Sequence, residues 1–202
     1  MSQVDYRRRG AQPARAAMAA KWTAGMTALV VALEGADNVT NHALDDWGIV
    51  PREADRLPNI FIAPFLHFGW DHLMANALPL VGLGFLLLLE GLRRFAAVTL
   101  IVTLASGLLV WLTSAPGTMT LGASGVIFGW FTYLLVRGLY TKSMTQILLS
   151  IGLFLLWGGM LWGVLPIMPG VSWQGHLGGA IGGVLAAKWL LTPRKPEGHF
   201  SY

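Results

Sequence analysis

The chain has 202 residues, 54% hydrophobic and 12% charged, with a formal net charge of +4 and no cysteine. Soluble domains carry about 25% charged residues, so this chain has too little polar surface to cover its apolar bulk. Disulfides, thiol catalysis and cysteine–metal centres are excluded, and nucleic-acid binding is set aside because the basic residues form no patch interleaved with aromatics.

Residues 1–15, with Arg7, Arg8, Arg9 and Arg15, read as a polar N-terminal tail. No small-residue cleavage site follows the first apolar block, so the basic run reads as a cytoplasmic anchor and not as a signal peptide. Six apolar blocks then follow, at Ala16–Leu33, Leu73–Leu89, Phe95–Leu112, Leu121–Val136, Ile147–Leu165 and Leu177–Leu191. Each is near the length that crosses about 30 Å of hydrocarbon as an α-helix. Between the first two lies Ile60–Phe68, which is too short to cross and carries Pro64; an interfacial or re-entrant segment is expected there. The expected architecture is an all-α membrane bundle of six transmembrane helices over residues 16–192, closed by a polar tail at 193–202.

The distribution of Lys and Arg sets the orientation. Lys21 and the N-terminal arginines, the pair Arg93 and Arg94, Arg137 with Lys142, and Lys188 with Arg194 and Lys195 all fall on one side. The opposite loops hold Arg52 and Arg56 among Glu34, Asp37, Asp45, Asp46, Glu53 and Asp55. The basic side is therefore the cytoplasm, with both termini inside and the protein in the plasma membrane.

Polar groups within spans are costly and mark function. Here they are His72, Asn76, Ser124 and His176, all at or near the outer ends of their helices. Arg137 stands thirteen positions after Ser124, a rise of about 20 Å. With Arg137 at the cytoplasmic boundary, Ser124 stops about 10 Å below the outer edge of the hydrocarbon, and His176 lies at a similar depth above Lys188. Gly122-Ala123-Ser124-Gly125 opens the fourth span, where free helix N–H groups suit a developing oxyanion. Gly179 and Gly183 share a face with His176 and let helices four and six touch. Imidazole is the base that makes serine nucleophilic at neutral pH. His72 and Asn76, spaced i,i+4, share a helix face and can both donate hydrogen bonds. No carboxylate is placed to complete a triad, so the expectation is a Ser–His dyad. Taken singly these pieces are also packing motifs: a Gly-x-Ser-Gly or a glycine run joins membrane helices. His67 reads as a loop-shaping residue, and Trp157, Trp162 and Trp173 as belt or core.

Together the motifs resemble those of the rhomboid intramembrane proteases, of the small six-span bacterial type, over roughly Ile60–Leu191. His67 to Asn76 is similar to that family's histidine-rich approach to its second helix, Gly122–Gly125 to its nucleophile motif, and His176 with Gly179 and Gly183 to its catalytic histidine and contact glycines. The resemblance implies Ser124 as nucleophile and His176 as base, with His72, Asn76 and the Ser124 N–H as oxyanion donors. It implies Phe128 stacked on the imidazole, with Gly122 and Gly125 in support. The family's Trp-Arg pair is not recognisable before His67, and its glutamate motif after the second span survives in part as Glu90-Gly91.

The expected activity is serine endopeptidase cleavage of transmembrane segments near the outer face. Substrates enter from the lipid past spans two and five, under a cap at Pro166–Gly175, and no metal or organic cofactor is required. The alternatives are a catalytically silent rhomboid-like protein that binds membrane clients and, third, a transporter, which would need ionisable groups at mid-membrane.

Overall fold

The apolar blocks become helices because a chain in hydrocarbon must satisfy its backbone polar groups internally. In the computed structural model, which describes residues 3–192 and their side chains from residue 13 onward, there are six α-helices. These are α1 (Gln3–Val39), α2 (Trp70–Leu88), α3 (Leu92–Thr113), α4 (Ser124–Thr141), α5 (Met144–Trp157) and α6 (Trp173–Leu191). Short 3-10 turns occupy Asp45–Trp47, Leu57–Phe61, Ala63–Phe65 and Gly158–Val164. The tail expected at 193–202 lies outside the described residues.

Four helical segments are long and apolar enough to cross a membrane: Pro13–Val39, Trp70–Leu88, Leu92–Thr113 and Met144–Val164. That is fewer than the six expected, and the shortfall has a physical cause. The remaining two, α4 and α6, are diluted by glycine, by Thr132 and Arg137, and by His176. They are also the helices most enclosed by their neighbours: α4 packs against α2, α3, α5 and α6, and α6 lies between α3 and α4. Interior helices need not present an apolar surface to lipid. The outer helices do, and Leu155 on α5 remains 79% exposed.

The boundaries depart most from the apolar blocks in three places. Helix α1 begins at Gln3, because the Arg- and Ala-rich stretch is built of good helix formers. It also runs past Leu33 to Val39, so Glu34 and Asp37 are buried helical residues and not loop residues. The fifth block ends its α-helix at Trp157 and continues as a 3-10 turn through the Gly158-Gly159 pair.

Within Ile60–Phe68, Ile60, Ala63, Leu66 and His67 are buried, with Ile60 seated over Gly107 of α3, while Phe61, Ile62, Phe65 and Phe68 stay exposed. Asn59 donates to the Gly48 carbonyl at 2.9 Å and Trp111 to the Glu53 carbonyl at 3.0 Å. The loop before α2 is thereby tied to the end of α3. An antiparallel bridge between Ile49 and Thr120 joins the same loop to the segment leading into Ser124.

At the other end of the bundle, Arg137 was expected as a boundary cation between spans. It is buried and paired with Glu90, whose second oxygen accepts the Tyr133 hydroxyl at 2.7 Å. The remnant glutamate motif thus clamps the end of α2 to α4.

Candidate active site

Ser124 is the first residue of α4, following Gly122 (φ 122°) and Ala123. Its own N–H and those of the next residues begin a helix and so have no intrahelical acceptor. His176 lies in the first turn of α6, which starts at Trp173 with the Ser172 hydroxyl accepting the Gly175 N–H at 3.3 Å. The two helices approach until backbone meets backbone. A Cβ added at Gly179 would land on the Gly125 carbonyl oxygen, and one at Gly183 on the carbonyl oxygen of Gly129.

That approach brings His176 Nε2 to 2.8 Å from Ser124 Oγ. The other ring nitrogen, Nδ1, is 3.0 Å from the Gly163 carbonyl oxygen. A carbonyl can only accept, so Nδ1 carries the hydrogen and Nε2 is left with the lone pair that accepts from the serine hydroxyl. Phe128, one turn after Ser124, stacks on the imidazole with ring centroids 4.1 Å apart and planes 10° apart. Gly163 has no room for a side chain, since a Cβ there would sit 2.9 Å from Nδ1 and 3.0 Å from the Phe128 ring.

His72 has the opposite tautomer. The Phe68 N–H donates to its Nδ1 at 3.3 Å, so the hydrogen resides on Nε2. That edge lies against Gly122, where a Cβ would be 2.9 Å from Nε2. Asn76 donates one amide hydrogen to the His72 carbonyl at 2.9 Å and keeps a second. His72, Asn76, Ser124, Phe128 and His176 all line one cavity of about 770 Å³. The segment expected as a cap contributes Met168 and Val171 to its wall, but ends at Ser172, where α6 begins.

His67 is buried and meets the His72 ring edge-on at 5.1 Å, with neither ring nitrogen hydrogen-bonded. Burial, and secondarily His72, push its pKa down to about 4; it stays neutral and props His72. Asp71 is exposed at the start of α2.

His72, Asn76, Ser124, Phe128 and His176 thus share the cavity, Gly125, Gly179 and Gly183 lie at the α4–α6 contact, and Gly122 lies against the His72 ring. The Gly163 carbonyl was missed. No sequence signal could have revealed it, since every residue has a carbonyl and only the 3-10 turn after α5 aims this one.

A family model described as the Rhomboid domain matches residues 54–193. Uncharacterized proteins of Mycobacterium tuberculosis and Mycobacterium bovis are each 41% identical over 189 residues, covering 87% of this chain and 79% of the relative. One from Mycobacterium leprae is 45% identical over 176 residues, covering 83% of this chain and 70% of the relative.

Proposed function

The chain belongs to the rhomboid family and is a multi-pass membrane protein; on that premise we propose that it is an intramembrane serine endopeptidase acting through Ser124 and His176. The observation that carries this reading is the hydroxyl–imidazole contact of 2.8 Å with its tautomer held by Gly163. His176 Nε2 takes the hydroxyl proton as Ser124 Oγ attacks the scissile carbonyl. The resulting oxyanion is held by His72 Nε2–H, the free Asn76 amide hydrogen and the Ser124 N–H. Protonated His176 then donates to the departing amine, leaving an acyl-enzyme that water, activated by the same imidazole, hydrolyses. A loss of either partner would leave a client-binding protein, but here both are present and in contact.

The substrate is a transmembrane segment of another protein, reaching the cavity from the lipid between α2 and α5. Between these helices the Trp157 ring lies against Gly82. The direct test is cleavage of a model transmembrane substrate in liposomes. Binding without cutting by the native protein would favour the client-binding alternative.

All six helices cross the plasma membrane in this reading, with both termini cytoplasmic. The chain has no cysteine, so single cysteines report position directly. Asp46→Cys is expected to react with a membrane-impermeant thiol reagent in intact cells, and Thr141→Cys only after the inner face is opened. The reverse pattern would invert the topology.

Asn76→Ala is expected to slow turnover without abolishing it. Removing one donor from a sharply defined oxyanion hole costs about 100- to 1,000-fold; with His72 and the backbone still in place, a loss of about 10- to 100-fold is expected in kcat. An unchanged kcat in both detergent and liposomes would remove Asn76 from the oxyanion site.

A further inference from the structure

Ser106, buried on α3, belongs to none of the motifs that point to Ser124 and His176. A hydroxyl inside a helix ordinarily bonds back to a carbonyl of its own helix one turn earlier. Thr113 of the same helix does so, donating to the Leu109 carbonyl at 2.6 Å. Ser106 instead donates across helices, to the Gly175 carbonyl at 2.8 Å and 69 residues away in the chain. Gly175 is the residue before His176.

The same side chain also lies against α4. A Cβ added at Gly125, the residue after Ser124, would overlap the Ser106 hydroxyl. Helix α6 comes down just as closely on this stretch of α3. A Cβ at Gly178 would sit 2.9 Å from Ser106 Cα, and one at Gly182 would sit 3.0 Å from Val102 Cα. Ser106 therefore stands where three helices meet, against the chain neighbour of each member of the dyad. With Thr103, Gly175 and Ser124 it also walls a small cavity of about 30 Å³. The glycine contacts between α4 and α6 set how near the helices come, but smooth glycine surfaces resist sliding and rotation weakly. A hydrogen bond is directional and resists both.

Resting on the Ser124–His176 reading, we propose that Ser106 is a positioning residue for the dyad, pinning the first turn of α6 at Gly175 while it buttresses Gly125 on α4. It acts through the backbone beside each partner and takes no proton itself. With the Gly175 carbonyl released, the first turn of α6 is free to slide or turn, and the imidazole moves with it. The 2.8 Å contact between His176 Nε2 and Ser124 Oγ is then no longer held in register. Gly175 keeps the backbone partner that a helical carbonyl has four residues on. Loss of the Ser106 hydroxyl therefore leaves no buried acceptor stranded, and the helices stay packed.

The test compares full-length native protein with Ser106→Ala in liposomes, measuring kcat and KM on a model transmembrane substrate and the rate of fluorophosphonate labelling at Ser124. A misplacement of about 1 Å costs up to about 100-fold in rate, so kcat is expected to fall about 10- to 100-fold. Labelling should slow by a similar factor, because it reads the nucleophile without a transmembrane substrate. KM and the thermal midpoint in detergent should stay near native, the pattern of an interaction that matters only to the reaction step. Thr103→Val, which removes the neighbouring α3 hydroxyl from the same small cavity, should leave every measurement near native. A native kcat in Ser106→Ala would overturn the positioning role and leave the dyad standing. An equal loss in Thr103→Val, or a thermal midpoint that falls along with kcat, would assign the effect to general packing and overturn it too. A native protein that neither labels nor cleaves would overturn the dyad itself, and this role with it.

Discussion

Ser124→Ala and His176→Ala are each expected to lower the cleavage rate of a transmembrane substrate by roughly 10⁴- to 10⁶-fold, and the double variant no further. Residues that share one chemical step lose their whole contribution when either is removed. Ser124→Ala deletes the attacking oxygen. His176→Ala leaves a hydroxyl whose proton has no acceptor at 2.8 Å, and a serine without a base is a weak nucleophile. A serine-directed fluorophosphonate should label the native protein at Ser124, label His176→Ala far more slowly and fail on Ser124→Ala. Substrate capture by Ser124→Ala should persist, since the cavity walls are unchanged. Cleavage by Ser124→Ala at the native rate would refute the dyad.

Gly179→Ala is expected to lower activity strongly as well, although it touches no reacting atom. Its new methyl would occupy the position of the Gly125 carbonyl oxygen, and backbone on both sides cannot rotate away as a side chain could. Overpacking of a tight contact costs about 1–3 kcal/mol. The larger effect is on geometry: Gly125 adjoins Ser124, and Gly179 lies three residues after His176, so separating α4 from α6 lengthens the hydroxyl–imidazole contact. A displacement of about 1 Å can cost about 100-fold in rate, and a loss of at least that size is expected, together with a lower thermal midpoint in detergent. Gly152→Ala on α5 is the control, because a Cβ there meets nothing within 4 Å; it should leave both measurements near native. Full activity in Gly179→Ala would mean that the close approach does not position the dyad.

The helices were legible in the sequence to the extent that lipid contact demands apolar residues. Helices α2, α3 and α5, which face outward, read clearly. The end of α1 did not, because the apolar run stops at Leu33 while the helix continues through Glu34 and Asp37 into a polar turn. Hydropathy cannot see a helix end whose acids are buried against their own loop. The partner of Arg137 was not legible either: a lone arginine near a span end reads as a boundary cation, and only the structure brings Glu90 to it across 47 residues.

The sequence by itself determined the residue types and their helical register. Ser124 stands at a helix start, His72 and Asn76 lie on one face, and small residues line the face below His176. Local spacing decides all of these, because a helix repeats every 3.6 residues whatever surrounds it. Tertiary structure alone decided which nitrogen of each imidazole holds its hydrogen. The Gly163 carbonyl and the Phe68 N–H impose opposite tautomers on His176 and His72, and both are backbone groups that every residue possesses. Their roles come from position in space, which 3-10 turns and helix contacts far apart in the chain supply.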